Sequence, residues 1–215
     1  GKASEAREYF EQALAIRERS LDPNRTPLAG TLWGLGRLEA EQGQLDAART
    51  HFERAHEILE ATLGSGHPAV ASALSNVAMV QCMQGDLIAG RASTERALEI
   101  QSGALGPEHP DLGVTLHNLG SIAAEQAKYE DAREFFKRAL AIHEKHLSPD
   151  HPKVASALVE LGNVELELKA YEQARTHYER ALAAYRAFAP EHPDVAAIVS
   201  GLDRVAAELH EGGGP

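Results

Sequence analysis

A chain of 215 residues, 43% of them hydrophobic, with no apolar run approaching the ~18 needed to cross a bilayer, is expected to be ordered, soluble and not inserted in a membrane. Its formal net charge of −11 argues against a nucleic-acid backbone or an anionic membrane surface as partner, and favours a neutral to basic protein or peptide. Cys82, the single cysteine, cannot form an internal disulfide, and no secretory signal opens the chain, so a cytoplasmic setting is expected.

The first segment, 4–21, places Ala6, Phe10, Ala13, Leu14 and Leu21 at helical spacing, which gives one apolar stripe on an amphipathic helix. Pro23 and Asn24 break it, and Thr26 is expected to cap the next helix with Pro27 just inside. Four helix–turn–helix pairs follow. Their first helices are predicted over 28–42, 69–84, 111–126 and 153–168. Turns around Gly43, Gly85, Ala127 and Lys169 lead into second helices over 45–63, 86–104, 129–147 and 171–188. A last helix, 194–209, has no partner after it, and 211–215 reads as a flexible tail.

Two residue series hold these segments to one interval. Ala13, Ala55, Ala97, Ala139 and Ala181 each stand 42 residues apart, and so do Arg7, Arg49, Arg91, Arg133 and Arg175. Such regularity makes the fold a question of arrays. The predicted division is a truncated repeat at 1–22, full repeats at 23–64, 65–106, 107–148 and 149–190, and a capping helix at 191–210 before the tail. Gly36, Ala78, Gly120 and Gly162 are small where two helix backbones approach, while Phe10, Phe52, Phe136 and Tyr178 supply aromatic knobs. In the second pair Gly90 and Thr94 replace the alanine and the aromatic, so that pair is expected to be the least well packed. The arginine series is expected to pair with carboxylates between repeats.

The pattern carried by Leu116, Leu119, Gly120, Tyr129, Ala132, Phe136, Ala139 and Leu140 resembles the tetratricopeptide repeat. Its 42-residue period exceeds the roughly 34 of the common form. With the His-Pro loops and the ALEI and ALAI endings, it is most similar to the repeats of kinesin light chains and related bacterial arrays. The resemblance implies an all-α fold: a right-handed α-solenoid of antiparallel helix pairs, whose first helices line a concave groove that binds an extended peptide. Carried over to this sequence, the groove residues are Trp33 and Arg37; Asn76, Met79 and Met83, with Cys82; His117, Asn118, Ser121 and Glu125; and Glu160, Asn163 and Glu167. Asn76 and Asn118 resemble the groove asparagine that contacts peptide backbone, whereas Gly34 and Glu160 depart from it. The Lys/Asn/Arg set that clamps a terminal carboxylate in chaperone-binding arrays is not reproduced.

Other chemistry is sparse. His67, His109, His151 and His192 precede prolines a full repeat apart, too distant to share a metal, and read as caps or loop-packing residues. His143 and His146 lack a third ligand. No nucleophile–base pair, phosphate-cradling loop or carboxylate cluster stands out, so no catalytic, cofactor or metal site is expected. Trp33, Met79, Cys82 and Met83 either receive apolar side chains of a partner or pack against neighbouring helices. The leading expectation is a protein–protein interaction scaffold binding an extended peptide in the groove. The alternative is a regulatory or self-assembly segment of a larger enzyme or signalling protein, associating through the uncovered Ala6–Ile16 face of the N-terminal helix.

Overall fold

The computed structural model describes residues 2–19, 24–189 and 191–212, which form ten helices and no strand. They are α1 (Lys2–Glu18), α2 (Thr26–Glu41), α3 (Leu45–Leu63), α4 (Pro68–Met83), α5 (Leu87–Leu105), α6 (Pro110–Glu125), α7 (Tyr129–His146), α8 (Pro152–Glu167), α9 (Tyr171–Phe188) and α10 (Pro193–Gly212). Of the expected helix breakers, Pro23 lies outside the described residues and Asn24 lies in the loop before α2; the end of the expected tail is also outside the described residues, and α10 runs on to Gly212. Two compact units divide the chain, residues 1–107 and 108–215. In the first, α1 packs on α2, α2 on α3, α3 on α4 and α4 on α5; in the second, α6 packs on α7, α7 on α8, α8 on α9 and α9 on α10.

Each pair is folded back by the same turn. The first helices end at residues in the left-handed region, Gly43 (φ 74°), Gly85 (84°), Ala127 (55°) and Lys169 (58°). The next N–H reaches back over the helix end, with Gln44, Asp86, Lys128 and Ala170 donating to the carbonyls of Glu39, Gln81, Ala123 and Glu165 at 2.8–2.9 Å.

The long loops are closed by histidines. His67, His109 and His151 are N-caps whose Nδ1 accepts the N–H of Ala69, Asp111 and Lys153 at 3.1, 3.3 and 3.1 Å, and His192 accepts that of Asp194 at 3.3 Å. Proline follows each of them as the first helical residue, where it has no partner to lose. Thr26 is not the cap the sequence suggested. It is the first residue of α2, and its N–H and hydroxyl both donate to Asn24 Oδ1 (3.1 and 2.6 Å), so the loop asparagine takes the capping role.

Within pairs, small and large residues interlock. A Cβ added at Gly36, Gly120 or Gly162 would lie 2.9, 2.6 and 2.6 Å from the ring of Phe52, Phe136 or Tyr178 respectively. The second pair keeps the volume by another route. Ala78 stands where the glycine would be and Thr94 where the aromatic would be, while Cys82 Sγ fills the space over Gly90, 2.4 Å from where a Cβ would sit. The backbones of α4 and α5 lie as closely together as those of α6 and α7.

A second exchange joins the helices of each pair. His51 Nδ1 lies 2.6 Å from Glu39 Oε2, Ser93 Oγ donates to Gln81 Oε1 at 2.8 Å, and His177 Nδ1 lies 2.6 Å from Glu165 Oε2. At the same register the third pair carries Ala123 and Phe135. Glu39 and Glu165 are buried, and their carboxylates are met by these histidines, Glu39 by Arg7 as well at 3.5 Å.

The arginine series is not one device. Arg7 bridges to the next pair as expected, through the Glu39 carboxylate at 3.5 Å and through Gln42 and Gln44, whereas Arg49 and Arg175 pair along their own helices with Glu53 and Glu172. Ion pairs from one second helix to the next come instead from Arg54 to Glu18 and Arg180 to Glu144. Exposed as they are, they contribute little, about 0–1 kcal/mol each.

Apolar burial carries the stability. The second unit has one continuous core through Phe136, Leu158, Leu161, Tyr178, Ile198 and Val205, the last two from α10. The first unit has three smaller clusters, centred on Phe52 and Val77, on Leu28 and Leu32, and on Val70 and Ile100.

Candidate peptide-binding faces

Two cavities occur at one register position, one in each unit. In the first unit a cavity of about 290 Å³ lies between α2 and α4, walled by Gly30, Trp33, Ser72, Ala73 and Asn76 and floored by Phe52, Ala55 and Leu59 of α3. In the second a cavity of about 330 Å³ lies between α6 and α8, walled by Val114, His117, Lys153 and Ser156, with His143 of α7 and Tyr185 of α9 beneath. The residues correspond across the 42-residue interval: Gly30, Ser72, Val114 and Ser156 line the walls, and Leu59, Gln101, His143 and Tyr185 hold one floor position. The first cavity is thus the more apolar, with Ser72 and Asn76 as polar walls, and the second carries His117, His143 and Lys153.

In the first unit Trp33 is 44% exposed at the cavity edge, and Arg37 stacks over its ring with Cζ 5.6 Å from the centroid while donating to Glu41 at 3.0 Å. This holds a large apolar face open to solvent. Met79 and Met83 are 43% and 52% exposed along α4. Asn76 donates its Nδ2 to the Ser72 carbonyl one turn back (2.7 Å), which fixes the side chain in one rotamer and orients its Oδ1. Cys82 does not join the methionines. Its sulfur is turned onto Gly90, so its role is packing.

In the second unit Asn118 is exposed, and His117 packs edge-on to Phe136 with centroids 5.2 Å apart. Burial pushes the His117 imidazole below its ordinary value and keeps it neutral at pH 7. Ser121 donates to the His117 carbonyl at 3.2 Å, and Glu125 is exposed. Further along, the predicted residues serve the fold as well. Asn163 Oδ1 accepts the Tyr178 hydroxyl (2.8 Å), Glu167 faces Arg204 at 3.7 Å, and burial, reinforced by the charge of Asp194, pushes the Glu160 carboxyl up. Burial thus disfavours the charged form of Glu160, and Glu167 is paired within the fold.

The structure adds residues that the sequence reading did not place in the groove: Leu59, His143, Lys153 and Tyr185. His143 had suggested a pairing with His146, but only His146 faces the loop, its Nε2 lying 3.1 Å from the Glu108 carbonyl oxygen, whereas His143 is 3% exposed. Tracing the floor position across the repeats would have found all but Lys153. On α1, Tyr9 and Ile16 are 73% and 71% exposed, seven residues apart on one side, while Phe10 turns onto Gly34 of α2. That contact explains the departure at Gly34, since a Cβ there would lie 2.5 Å from the Phe10 ring. No helix among the described residues is long and apolar enough to cross a membrane.

No curated protein matches the sequence. Among solved structures, BtubC (BKLC) from P. vanneervenii is similar over 98% of this chain and 85% of its own, with 20% identity and a TM-score of 0.83. A kinesin-light-chain-type protein of Podosopora anserina with nearly identical TPR-like repeats matches over 89% and 90%, with 22% identity and a TM-score of 0.75. The apo form of RapI matches over 85% of this chain and 64% of that one, with 19% identity and a TM-score of 0.74. At these identities the likeness is one of fold, an all-α solenoid of antiparallel helix pairs. Sequence similarity reaches further, because the tetratricopeptide repeat profile matches residues 1–61, 27–89, 69–145, 131–187 and 153–209, almost end to end. The chain therefore belongs to the tetratricopeptide repeat family.

Proposed function

We propose that this chain is a protein-interaction scaffold that captures an extended segment of a partner on the first-helix faces of its pairs. The observation that carries this reading is the recurrence, at one register position, of a side-chain-sized cavity between successive first helices: Trp33, Leu59 and Asn76 in the first unit, His117, His143 and Ser156 in the second. The exposed Trp33, Met79 and Met83 supply apolar contact of the kind that anchors an interface. Asn76 and Asn118, near the cavity rims, supply an acceptor and a donor for the partner's backbone. The first unit takes an apolar side chain; the exposed Glu125 meets a basic group of the partner.

A random peptide library displayed on phage and panned against the whole chain tests this. Selected peptides are expected to share a pattern of apolar side chains and to lose binding to the Trp33→Ala variant. Peptides that bind that variant unchanged would remove the first-unit cavity from the reading. A second reading, self-association, is favoured by the exposed Tyr9 and Ile16 stripe on α1. Light scattering separates the two: a dimer dissociated by Y9E/I16E supports it, and a monomer at all concentrations discards it.

A further inference from the structure

We propose that the cavity over His143 is an oxyanion pocket, which takes a carboxylate or phosphate group of the bound segment between Lys153 and the His117 and His143 rings. The proposal rests on the capture reading for the source of the anion, and on four observations for the pocket itself.

First, His143 is buried at the cavity floor and neither of its ring nitrogens has a hydrogen-bond partner among the described residues, an arrangement that a ligand would complete. Second, room has been made for that ring. A Cβ at Gly113 would lie 2.5 Å from it, and the register-equivalent positions carry Ala29, Ala71 and Ala155. Third, the same floor position in the first unit is Leu59 in a more apolar cavity, so the change to histidine alters what the site can hold. Fourth, the charge around it has one sign. Lys153 and His151 at the start of α8 and His117 on α6 are the titratable groups that act on His143, and no carboxylate is among them. The first turn of α8 also brings the positive end of its dipole to the rim. Among the described residues, acidic groups reach the cavity only through Tyr185, whose hydroxyl donates to Asp194 and on which Glu160 also acts.

Binding should be proton-linked. In the empty pocket, burial and then Lys153 hold the His143 imidazole down to about 4, so it is neutral at pH 7. An anion against the ring favours the charged form, and the ring then gains a proton from solvent as the anion enters.

The test follows the histidine ring resonances of the whole chain by NMR during titration with sodium acetate, with sodium phosphate, and with sodium chloride at matched ionic strength. Expected is a saturable shift of the His117 and His143 rings with acetate, phosphate or both, and none with chloride. For acetate, whose charge is constant over the range, affinity should tighten about fourfold from pH 7.5 to 6.0 if the complexed imidazole returns to its ordinary value. H143L and K153Q should each abolish the saturable shift, read at His117. A response to acetate alone identifies an acidic side chain as the natural occupant, and one to phosphate alone a phosphorylated residue. No saturable shift, a shift that chloride reproduces, or unchanged titration of both variants overturns the proposal. Because no peptide is used, these outcomes leave capture through Asn76 and Asn118 untouched, and failed capture would leave the ion titration standing.

Discussion

At the scale of single residues, the fold is set by contacts that admit one side chain and not its neighbour in size. Gly120 is the sharpest case. Alanine is the better helix former by about 1 kcal/mol, but its methyl would meet the fully buried Phe136 ring at 2.6 Å, and overpacking of that kind costs about 1–3 kcal/mol. Gly120→Ala should therefore lower stability in denaturant titration. Adding Phe136→Thr, which recreates the Ala78–Thr94 pairing, should give a double variant more stable than the sum of the two single effects; strict additivity would contradict the account. His143 gives a second residue-scale prediction. Its folded value of about 4 lies below the ordinary 6.5, so its contribution to stability is fully present above about 6.5 and is lost as the pH falls toward 4. At about 1.4 kcal/mol per pH unit, the loss approaches ~3 kcal/mol. Stability measured at pH 7 and pH 4.5 should fall by less in H143L than in the wild type, the difference being this residue's share.

At the scale of helices and turns, the 42-residue register made the helices legible before any coordinates. Apolar stripes located them, and the His-Pro loops located most of their starts, with the proline itself as first residue one position earlier than the apolar pattern indicated. What the pattern could not show is which way a side chain points once a neighbouring helix is present. Cys82 sits between Met79 and Met83 in sequence and looked like their companion. The missing side chain at Gly90 draws it to the opposite side. His143 looked equivalent to His146 until α6 and α8 buried it. Thr26 lost its expected capping role because it is itself the first residue of α2, and its own N–H and hydroxyl both donate to Asn24 Oδ1. The turn residues give a prediction at this scale. Gly43 and Gly85 adopt the left-handed conformation freely, but Ala127 and Lys169 adopt it with a side chain, at a cost of about 1–2 kcal/mol. Ala127→Gly and Lys169→Gly should each raise the melting temperature by an amount corresponding to about 1 kcal/mol, offset slightly by the greater freedom of glycine in the unfolded chain. A lower melting temperature in both would show that the turns are held by something other than backbone conformation.

For the whole molecule, the residues that repeat and those that vary have separate roles. Leu116, Leu119, Gly120, Ala132, Phe136 and Ala139 are buried and build a pair, so their recurrence gave the fold and little about the partner. The varying positions face the cavities: Leu59 against His143, and Trp33 against His117. They were legible as a list of candidates but not as sites, because a cavity wall is assembled from helices that the sequence does not order in space. The central claim is that these faces capture a peptide, with Asn76 and Asn118 holding its backbone. It is tested most directly by titration calorimetry of a display-selected peptide against the wild type, the double variant N76A/N118A and the control E53A, whose residue pairs with Arg49 on a second helix. The account predicts at least a tenfold loss of affinity, about 1.4 kcal/mol, in the double variant with helical content unchanged, and no loss in the control. Equal affinity for all three proteins would contradict it.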